Sequence, residues 1–180
     1  MISDAQKSGL VKFYDTHPIN EVEILAKLAA RGVSSDVLTE DDLKDFDQDH
    51  YGGTEALDTL ADIAGIRRDH HVLDVCSGMG GPSRWLAHRR GCRVTGLDFT
   101  ASRVEAAKRL SQRARLDHLV DFVHGDATAM PLPACRYDAL IGAGVLAAYS
   151  GQGGSHLRMC PRPEAGRDRC VYRHRHAVRS

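Results

Sequence analysis

The 180-residue sequence lacks several features that would place it in a class at once. No run of 18 apolar residues predicts a membrane-spanning helix, and no apolar stretch follows Met1 as in a secretory signal peptide. The five cysteines show no paired spacing, which is typical of reduced thiols in a cytoplasmic protein. Basic and acidic residues balance at 24 each, so net charge does not favour a nucleic-acid partner. We expect a cytoplasmic protein of single-domain length, with neither a membrane nor a nucleic acid as partner.

The most informative stretch that is present is residues 71–83, where a short apolar segment runs into a glycine turn. The predicted strand at its start has the apolar residues Val72, Leu73 and Val75. A strand, a glycine turn and a helix in succession bring backbone N–H groups and a helix N-terminus towards a ligand. Asp74 lies four residues before Gly78. A carboxylate in this position is poorly placed beside a pyrophosphate and well placed beside a cationic amino group or a sulfonium.

Two further predicted strands also end in an acidic residue. Residues 92–98 end at Asp98, and residues 120–124 lead into the turn Gly125-Asp126-Ala127. The helices that separate these strands are predicted over 83–90 and 101–114. This alternation is typical of a parallel sheet with crossover helices, in which the ends of successive strands share one edge. We therefore expect the three carboxylates to face the same edge of the sheet.

These motifs resemble those of the class I S-adenosylmethionine-dependent methyltransferases over roughly residues 45–142. The glycine turn matches the family pattern Asp/Glu-x-Gly-x-Gly-x-Gly, except that Cys76 replaces the first glycine, where we expect a small side chain to be tolerated. The resemblance implies that Asp74 and the turn hold the methionine end of the cofactor, that Asp98 holds the ribose, and that Asp126 holds the adenine. The cofactor-binding residues that it implies are Asp74, Cys76, Gly78, Gly80, Asp98, Phe99, Asp126, Ala127 and Tyr51.

The resemblance also implies a fold and a reaction. The expected fold is α/β, a Rossmann-like, doubly wound parallel sheet with a helical cap at its N-terminus. The expected reaction is transfer of the methyl group of S-adenosyl-L-methionine to a small-molecule nucleophile. The segment His50-Tyr51-Gly52-Gly53 and the Gly-Gly-Pro-Ser form of the turn resemble enzymes that methylate small amines of the sarcosine type. No catalytic base and no metal site are assigned, and the oligomeric state is not predicted.

Two other interpretations of the glycine turn compete with this one. A dinucleotide site also has a strand, glycines and an acid about 20 residues further on. In that pattern, however, Ser83 stands where the third glycine belongs, and neither Asp74 nor Asp126 has a role. Alternatively, the three aspartates are only turn formers, as single aspartates often are. Their occurrence at three consecutive strand ends favours a binding site.

The chain divides into three predicted parts: a helical cap or lid over residues 1–52, a cofactor-binding half over 53–142, and a tail over 143–180. In the cap, helical spacing predicts a helix after Asn20, with the apolar face Val22, Leu25, Leu28 and Ala29. A second helix is predicted over 53–65, with the apolar face Leu57, Leu60, Ala61 and Ile63. Tyr51 is expected either over the methionine end of the cofactor or as a packing residue.

The tail differs in composition from the rest of the chain, with seven arginines, no lysine and two acidic residues. Three interpretations are open: an arginine-rich nucleic-acid segment, a Cys/His metal cluster with unusual spacing, and a frameshift after Gly142. Read one base out of frame, permitted codons for residues 162–167 can spell Val-Leu-Lys-Pro-Gly-Gly, a turn that the family places here. We favour the frameshift, which would truncate the sheet after its fourth strand and leave that strand as an apolar edge. The alternative function is then a non-catalytic remnant that binds the cofactor weakly or not at all.

Overall fold

Four short apolar segments form one parallel sheet in the computed structural model, which describes residues 4–50, 52–132 and 136–142. The strands are β1 (His71–Val75), β2 (Arg93–Asp98), β3 (Val120–His124) and β4 (Ala139–Ile141). All neighbouring pairs are parallel, and the strand order is β3-β2-β1-β4. The expected α/β fold class with a parallel sheet is confirmed.

The register places the carboxyl ends of three strands side by side. Asp74 on β1 is aligned with Gly96 on β2, and Asp98 at the end of β2 is aligned with His124 at the end of β3. Crossover connections in a parallel sheet bring every strand back in the same direction. The loops that follow β1, β2 and β3 therefore lie along one edge.

Six α-helices precede or connect the strands in the described part of the chain. They are α1 (Asp4–Asp15), α2 (Glu21–Ala30), α3 (Glu40–Leu43), α4 (Gly53–Ala64), α5 (Gly81–Arg90) and α6 (Ala101–Arg113). Residues of α4, α5 and α6 form one apolar cluster with the sheet; it includes Ala61, Leu86, Val104 and Phe122. None of the helices in the described ranges is long and apolar enough to cross a bilayer.

The N-terminal cap packs on the glycine turn and on α6 instead of forming a separate core. Its buried residues Ile24, Leu28 and Leu43 share a cluster with Met79 of the turn and Leu110 of α6. Side-chain caps begin two of its helices: the Asn20 side chain accepts a hydrogen bond from Glu23 N–H, and a capping box with Thr39 begins α3. The cap is thus held against the elements that would carry a cofactor.

Some predicted helix faces are wrong. Val22 is 74% exposed, and the buried stripe of α2 runs through Ile24 and Leu28. On α4, Leu60 and Ile63 are also exposed, and Ala64 takes the buried place. In both helices two overlapping stripes satisfy the same spacing, and tertiary packing selects one of them. No helix is predicted over α1 from the sequence pattern, and α5 begins at Gly81, two residues earlier than expected.

The fourth strand has one neighbour among the described strands. β4 pairs with β1 from Val72↔Ala139 to Asp74↔Ile141. The two strands are also joined where they begin, because His71 N–H donates to the Asp138 carboxylate at 2.8 Å. All three side chains of β4 are buried. The predicted tail and its frameshift lie outside the described residues, so the expected open edge stays a prediction.

Candidate cofactor site at the strand ends

Asp74 is a buried carboxylate with one protein partner. Its side chain accepts a hydrogen bond from Ser83 Oγ at 2.7 Å, which joins β1 to the first turn of α5. Its other oxygen, Oδ1, is buried without a hydrogen-bond partner in the described part of the chain. Burial raises the pKa of Asp74 to about 7, and the nearby Asp98 carboxylate adds to the increase while the Ser83 hydrogen bond opposes it. A buried acceptor of this kind is satisfied by a cationic ligand.

The glycine turn takes a backbone conformation that only glycine adopts freely. Gly78 and Gly80 have φ values of +56° and +80°. A Cβ at Gly80 would overlap the ring of Phe122, with its Cε1 only 2.7 Å away. Within the turn, Gly80 N–H donates to Ser77 C=O at 2.8 Å. Pro82 is the second residue of α5, a position where a backbone N–H has no partner within the helix, so proline removes no helical hydrogen bond there.

Cys76 stands in a strained position at the start of this turn. Its φ is +61°, the left-handed region that disfavours residues with a Cβ by about 1–2 kcal/mol. The expectation that a small side chain is tolerated here therefore holds only with backbone strain. Burial raises the pKa of the Cys76 thiol to about 12, and the carboxylates of Asp98, Asp74 and Asp126 contribute further, in that order. The thiol is therefore protonated at neutral pH.

Asp98 is held in place by two backbone N–H groups. Oδ2 accepts from Gly78 N–H and Oδ1 accepts from Thr100 N–H, both at 2.8 Å. The main-chain carbonyl of Asp98 also accepts a hydrogen bond, from Gly125 N–H at 2.9 Å, which joins β2 to the loop after β3. Each carboxylate oxygen keeps a second lone pair. The side chain is therefore fixed in orientation and still able to accept hydroxyl protons.

Asp126 and Phe99 lie at the far end of the same edge. Asp126 Oδ1 accepts from the N–H and the hydroxyl of Thr128, and Oδ2 pairs with Lys7 Nζ at 3.2 Å. The Thr128 hydrogen bond and then Lys7 lower the pKa of Asp126. The Lys7 ammonium also lies 5.8 Å from the centroid of the Phe99 ring. Ala127 begins the short 3₁₀ helix Ala127–Ala129 next to this carboxylate.

Sequence reasoning missed the residues that α1 and α6 bring to the site. Tyr14 on α1 stacks on the Arg103 guanidinium at 4.8 Å. Burial and then Asp49 raise the pKa of the Tyr14 hydroxyl, while the Arg103 guanidinium opposes the increase. Arg103 in turn donates to Asp49 at 2.8 Å. No local pattern could have indicated these contacts, because they join segments far apart in the sequence.

Tyr51 lies outside the described residues, so its role is a prediction still. In the described ranges, no cluster of three or more His, Cys, Asp or Glu residues has a geometry that could hold a metal ion. The carboxylates, the glycine turn and the buried Asp74 oxygen together fit a ligand that carries positive charge and hydroxyl groups.

The comparison with protein families gives a match over residues 72–156, to the methyltransferase domain. The matched region begins in β1 and contains the described part of the chain from there onwards, including β2, α6 and β4. It also extends past Gly142 into the predicted tail.

Curated relatives each match a little under half of the chain. The sterol 24-C-methyltransferase of Eremothecium gossypii is 39% identical over 79 residues, which are 44% of this chain and 21% of that protein. The erythromycin 3''-O-methyltransferase of Saccharopolyspora erythraea is 35% identical over 85 residues, 47% of this chain and 28% of that protein. The chain thus spans between about a fifth and three tenths of the length of these relatives.

Among solved structures, the protein MccD shares the fold. It superposes with a TM-score of 0.50 at 21% identity, over 52% of this chain and 41% of that one. At this identity the likeness supports the architecture and carries no information on substrate.

Proposed function

We propose that the chain binds S-adenosyl-L-methionine at the ends of β1–β3 and transfers its methyl group to a small-molecule nucleophile, as the class I S-adenosylmethionine-dependent methyltransferases do. The match to the methyltransferase domain over residues 72–156 supports this proposal. One observation carries the proposal: the buried Asp74 carboxyl, whose Oδ1 has no hydrogen-bond partner among the described residues, lies at the same strand ends as Asp98, whose Oδ2 accepts a hydrogen bond from Gly78 N–H at 2.8 Å. Negative charge at these strand ends fits a cation and opposes a phosphate.

The residues divide the cofactor between them in this proposal. Asp74 and the backbone of the glycine turn hold the methionine end, since the free Oδ1 of Asp74 is a buried acceptor. Asp98 accepts the ribose hydroxyl protons with the lone pairs that Gly78 and Thr100 leave open. Asp126, with the Ala127 backbone and the Phe99 ring, holds the adenine.

The chemistry needs alignment more than proton transfer. When bound, the cofactor would supply an electrophilic methyl group on a positively charged sulfur, and the sulfur would leave as a neutral thioether when a nucleophile bonds in line to the methyl carbon. The protein contributes by fixing the orientation of the cofactor and by excluding water from the reacting atoms. No described residue is assigned as a general base.

A dinucleotide is the weaker candidate for this site. A pyrophosphate at the glycine turn would meet the buried Asp74 carboxylate and, at the entrance of α5, the Ser83 side chain. The turn of a dinucleotide site has a glycine in that place for close helix–strand packing. In this chain the Ser83 hydroxyl instead donates a hydrogen bond to the Asp74 carboxyl group.

The methyl acceptor is a small molecule, and its chemical class is the open part of the proposal. The names of the curated relatives describe methylation of a sterol carbon and of a macrolide oxygen. They give no support to the amine that the sequence favours. We therefore propose an acceptor with a carbon or oxygen nucleophile ahead of an amine.

A transfer assay tests this proposal. The protein is incubated with methyl-labelled S-adenosyl-L-methionine and separate panels of sterols, hydroxylated macrolides and small amines, and the products are identified by mass. Label in any product, lost in Asp98→Ala and kept in Asp121→Ala, supports methyl transfer. Cofactor binding without label in any panel favours the non-catalytic alternative.

A further inference from the structure

Arg84, the fourth residue of α5, is a cation with no access to solvent. Its side chain is 0% exposed, and an arginine stays protonated when buried. Nη2 pairs with Asp47 Oδ2, and Nε lies 3.3 Å from Glu40 Oε2. Both acids belong to the N-terminal cap and are buried as well. Burial raises the pKa of Glu40 well above its ordinary range, against the opposing effect of Arg84.

The same guanidinium is bonded to the glycine turn. Arg84 Nη1 donates to the main-chain carbonyl of Met79 at 2.8 Å. Met79 stands between Gly78 and Gly80, the two residues with positive φ. A fixed Met79 carbonyl sets the plane of the peptide that follows it, and with it the rotation of the turn. The Gly78 N–H that donates to Asp98 is part of this turn.

The cap segment 47–49 lies directly against the turn. A Cβ at Gly81 would be 2.5 Å from the main-chain oxygen of Asp47 and 2.9 Å from its Oδ1. Two residues further on, Asp49 pairs with Arg103 at 2.8 Å. The Arg103 Nε atom is the nearest group to a Cβ built on Gly78, at 4.0 Å. The segment therefore contacts the turn at Gly81 through Asp47, and lies near Gly78 through the ion pair of Asp49 with Arg103.

We propose that Arg84 is a positioning residue: it fixes the conformation of the cofactor turn by joining the Met79 carbonyl to Asp47 of the cap. The inference rests on the proposed function, since it concerns the turn that would hold the cofactor. Arg84 has no assigned contact with the cofactor. It acts through Met79, so that Asp47 of the cap supports the turn that would hold the cofactor.

Arg84→Met tests the proposal, with Leu110→Ala as its matched control. Leu110 is fully buried in the cluster that joins the cap to α6, so its truncation destabilises the fold without removing a hydrogen bond to the turn. Two quantities are measured for each protein: the dissociation constant of S-adenosylhomocysteine by calorimetry, and the exchange rate of the Gly78 amide hydrogen by NMR. Urea unfolding identifies conditions in which all variants are folded.

The expected result is that Arg84→Met weakens S-adenosylhomocysteine binding about tenfold or more and accelerates Gly78 exchange, while Leu110→Ala changes neither. Arg84→Lys keeps the positive charge and loses the forked set of guanidinium donors. Its dissociation constant and its Gly78 exchange rate should lie between those of the wild type and Arg84→Met. Equal losses in Arg84→Met and Leu110→Ala would overturn the proposal, since the role would then be structural only. Wild-type behaviour of Arg84→Met would overturn it as well.

Two further outcomes keep this test separate from the proposed function. If the wild type fails to bind S-adenosylhomocysteine, the proposed function fails, and the Gly78 exchange rate alone decides the positioning role. If Arg84→Met does not fold, Asp47→Asn replaces it, because it keeps the shape of the partner and removes its charge. Slow Gly78 exchange in Asp47→Asn would then contradict the proposal.

Discussion

The main-chain N–H of Gly78 donates a 2.8 Å hydrogen bond to Oδ2 of Asp98, across 20 residues of sequence. This bond joins the glycine turn after β1 to the acid at the end of β2. It holds the Asp98 carboxylate in one orientation before any ligand is present. The turn and the carboxylate consequently form a single pre-organised unit, which lowers the entropy that ligand binding must overcome.

Asp98→Ala should weaken S-adenosylmethionine binding by about 1.5–3 kcal/mol, the usual contribution of hydrogen bonds to a charged group. Calorimetry measures the change. Asp121→Ala is the matched control, because Asp121 is an exposed aspartate on the neighbouring β3 and its carboxylate accepts a hydrogen bond from the Phe122 N–H. Equal affinities of Asp98→Ala and wild type would remove Asp98 from the site.

Asp74 should make the stability of the ligand-free protein depend on pH. Its pKa is raised from an ordinary value of 3.8 to about 7, so folding favours the protonated form. The protonated carboxyl stabilises the fold at low pH, and this contribution is lost as the pH rises through about 7. Asp74→Asn cannot ionise. We expect it to exceed the wild type in free energy of unfolding at about pH 8, by at most about 4 kcal/mol.

The same substitution should impair binding, since the cationic cofactor needs the carboxylate. Wild-type affinity for S-adenosylmethionine should increase from about pH 6 to about pH 8, while Asp74→Asn should bind weakly and without this pH dependence. Urea unfolding measures the predicted difference in stability, and calorimetry at both pH values measures the predicted difference in affinity. A variant that binds like wild type would contradict the assignment of Asp74.

Cys76→Gly should be more stable than Cys76→Ala by about 1 kcal/mol, because alanine keeps the Cβ that strains the backbone at φ +61°. Cys92, which is buried and does not have a positive φ, provides the control. There, Cys92→Gly should be less stable than Cys92→Ala by about 0.5–1 kcal/mol. Denaturant unfolding gives all four values, and the same order at both positions would show that Cys76 is not strained.

Lys7→Met should tighten binding of S-adenosylhomocysteine by up to about fivefold, since Lys7 pairs with the Asp126 oxygen that the adenine amino group would need. The effect is small because a partly exposed ion pair contributes about 1 kcal/mol or less. The difference between the variant and the wild type should shrink in high salt. Weaker binding by Lys7→Met would instead show that Lys7 supports the ligand.

The hypothesis of a frameshift after Gly142 predicts one base fewer at that codon in the genomic DNA of independent isolates. The family match extends to residue 156, so part of it falls on the tail side of the predicted boundary. An unchanged DNA sequence in all isolates would reject the hypothesis. The cytoplasmic location likewise stays a prediction, to be checked by fractionation.

The strand ends were predictable from sequence, and the contacts that support them were not. Asp74, Asp98 and Asp126 follow apolar runs with clear periodicity, so their places along one edge follow from parallel topology. Arg84 pairs with Asp47 across 37 residues, and an arginine on a predicted helix is ordinarily exposed. Its burial depends on how the cap packs, which local pattern does not specify.

The most direct test of the account is calorimetric titration of the wild-type chain with S-adenosylhomocysteine and, separately, with NAD. We predict saturable binding of S-adenosylhomocysteine, weakened by Asp98→Ala and by Asp126→Ala and unchanged by Asp121→Ala, with no binding of NAD. Binding of NAD that is lost in Asp98→Ala and indifferent to Asp126→Ala would contradict the account and establish a dinucleotide site.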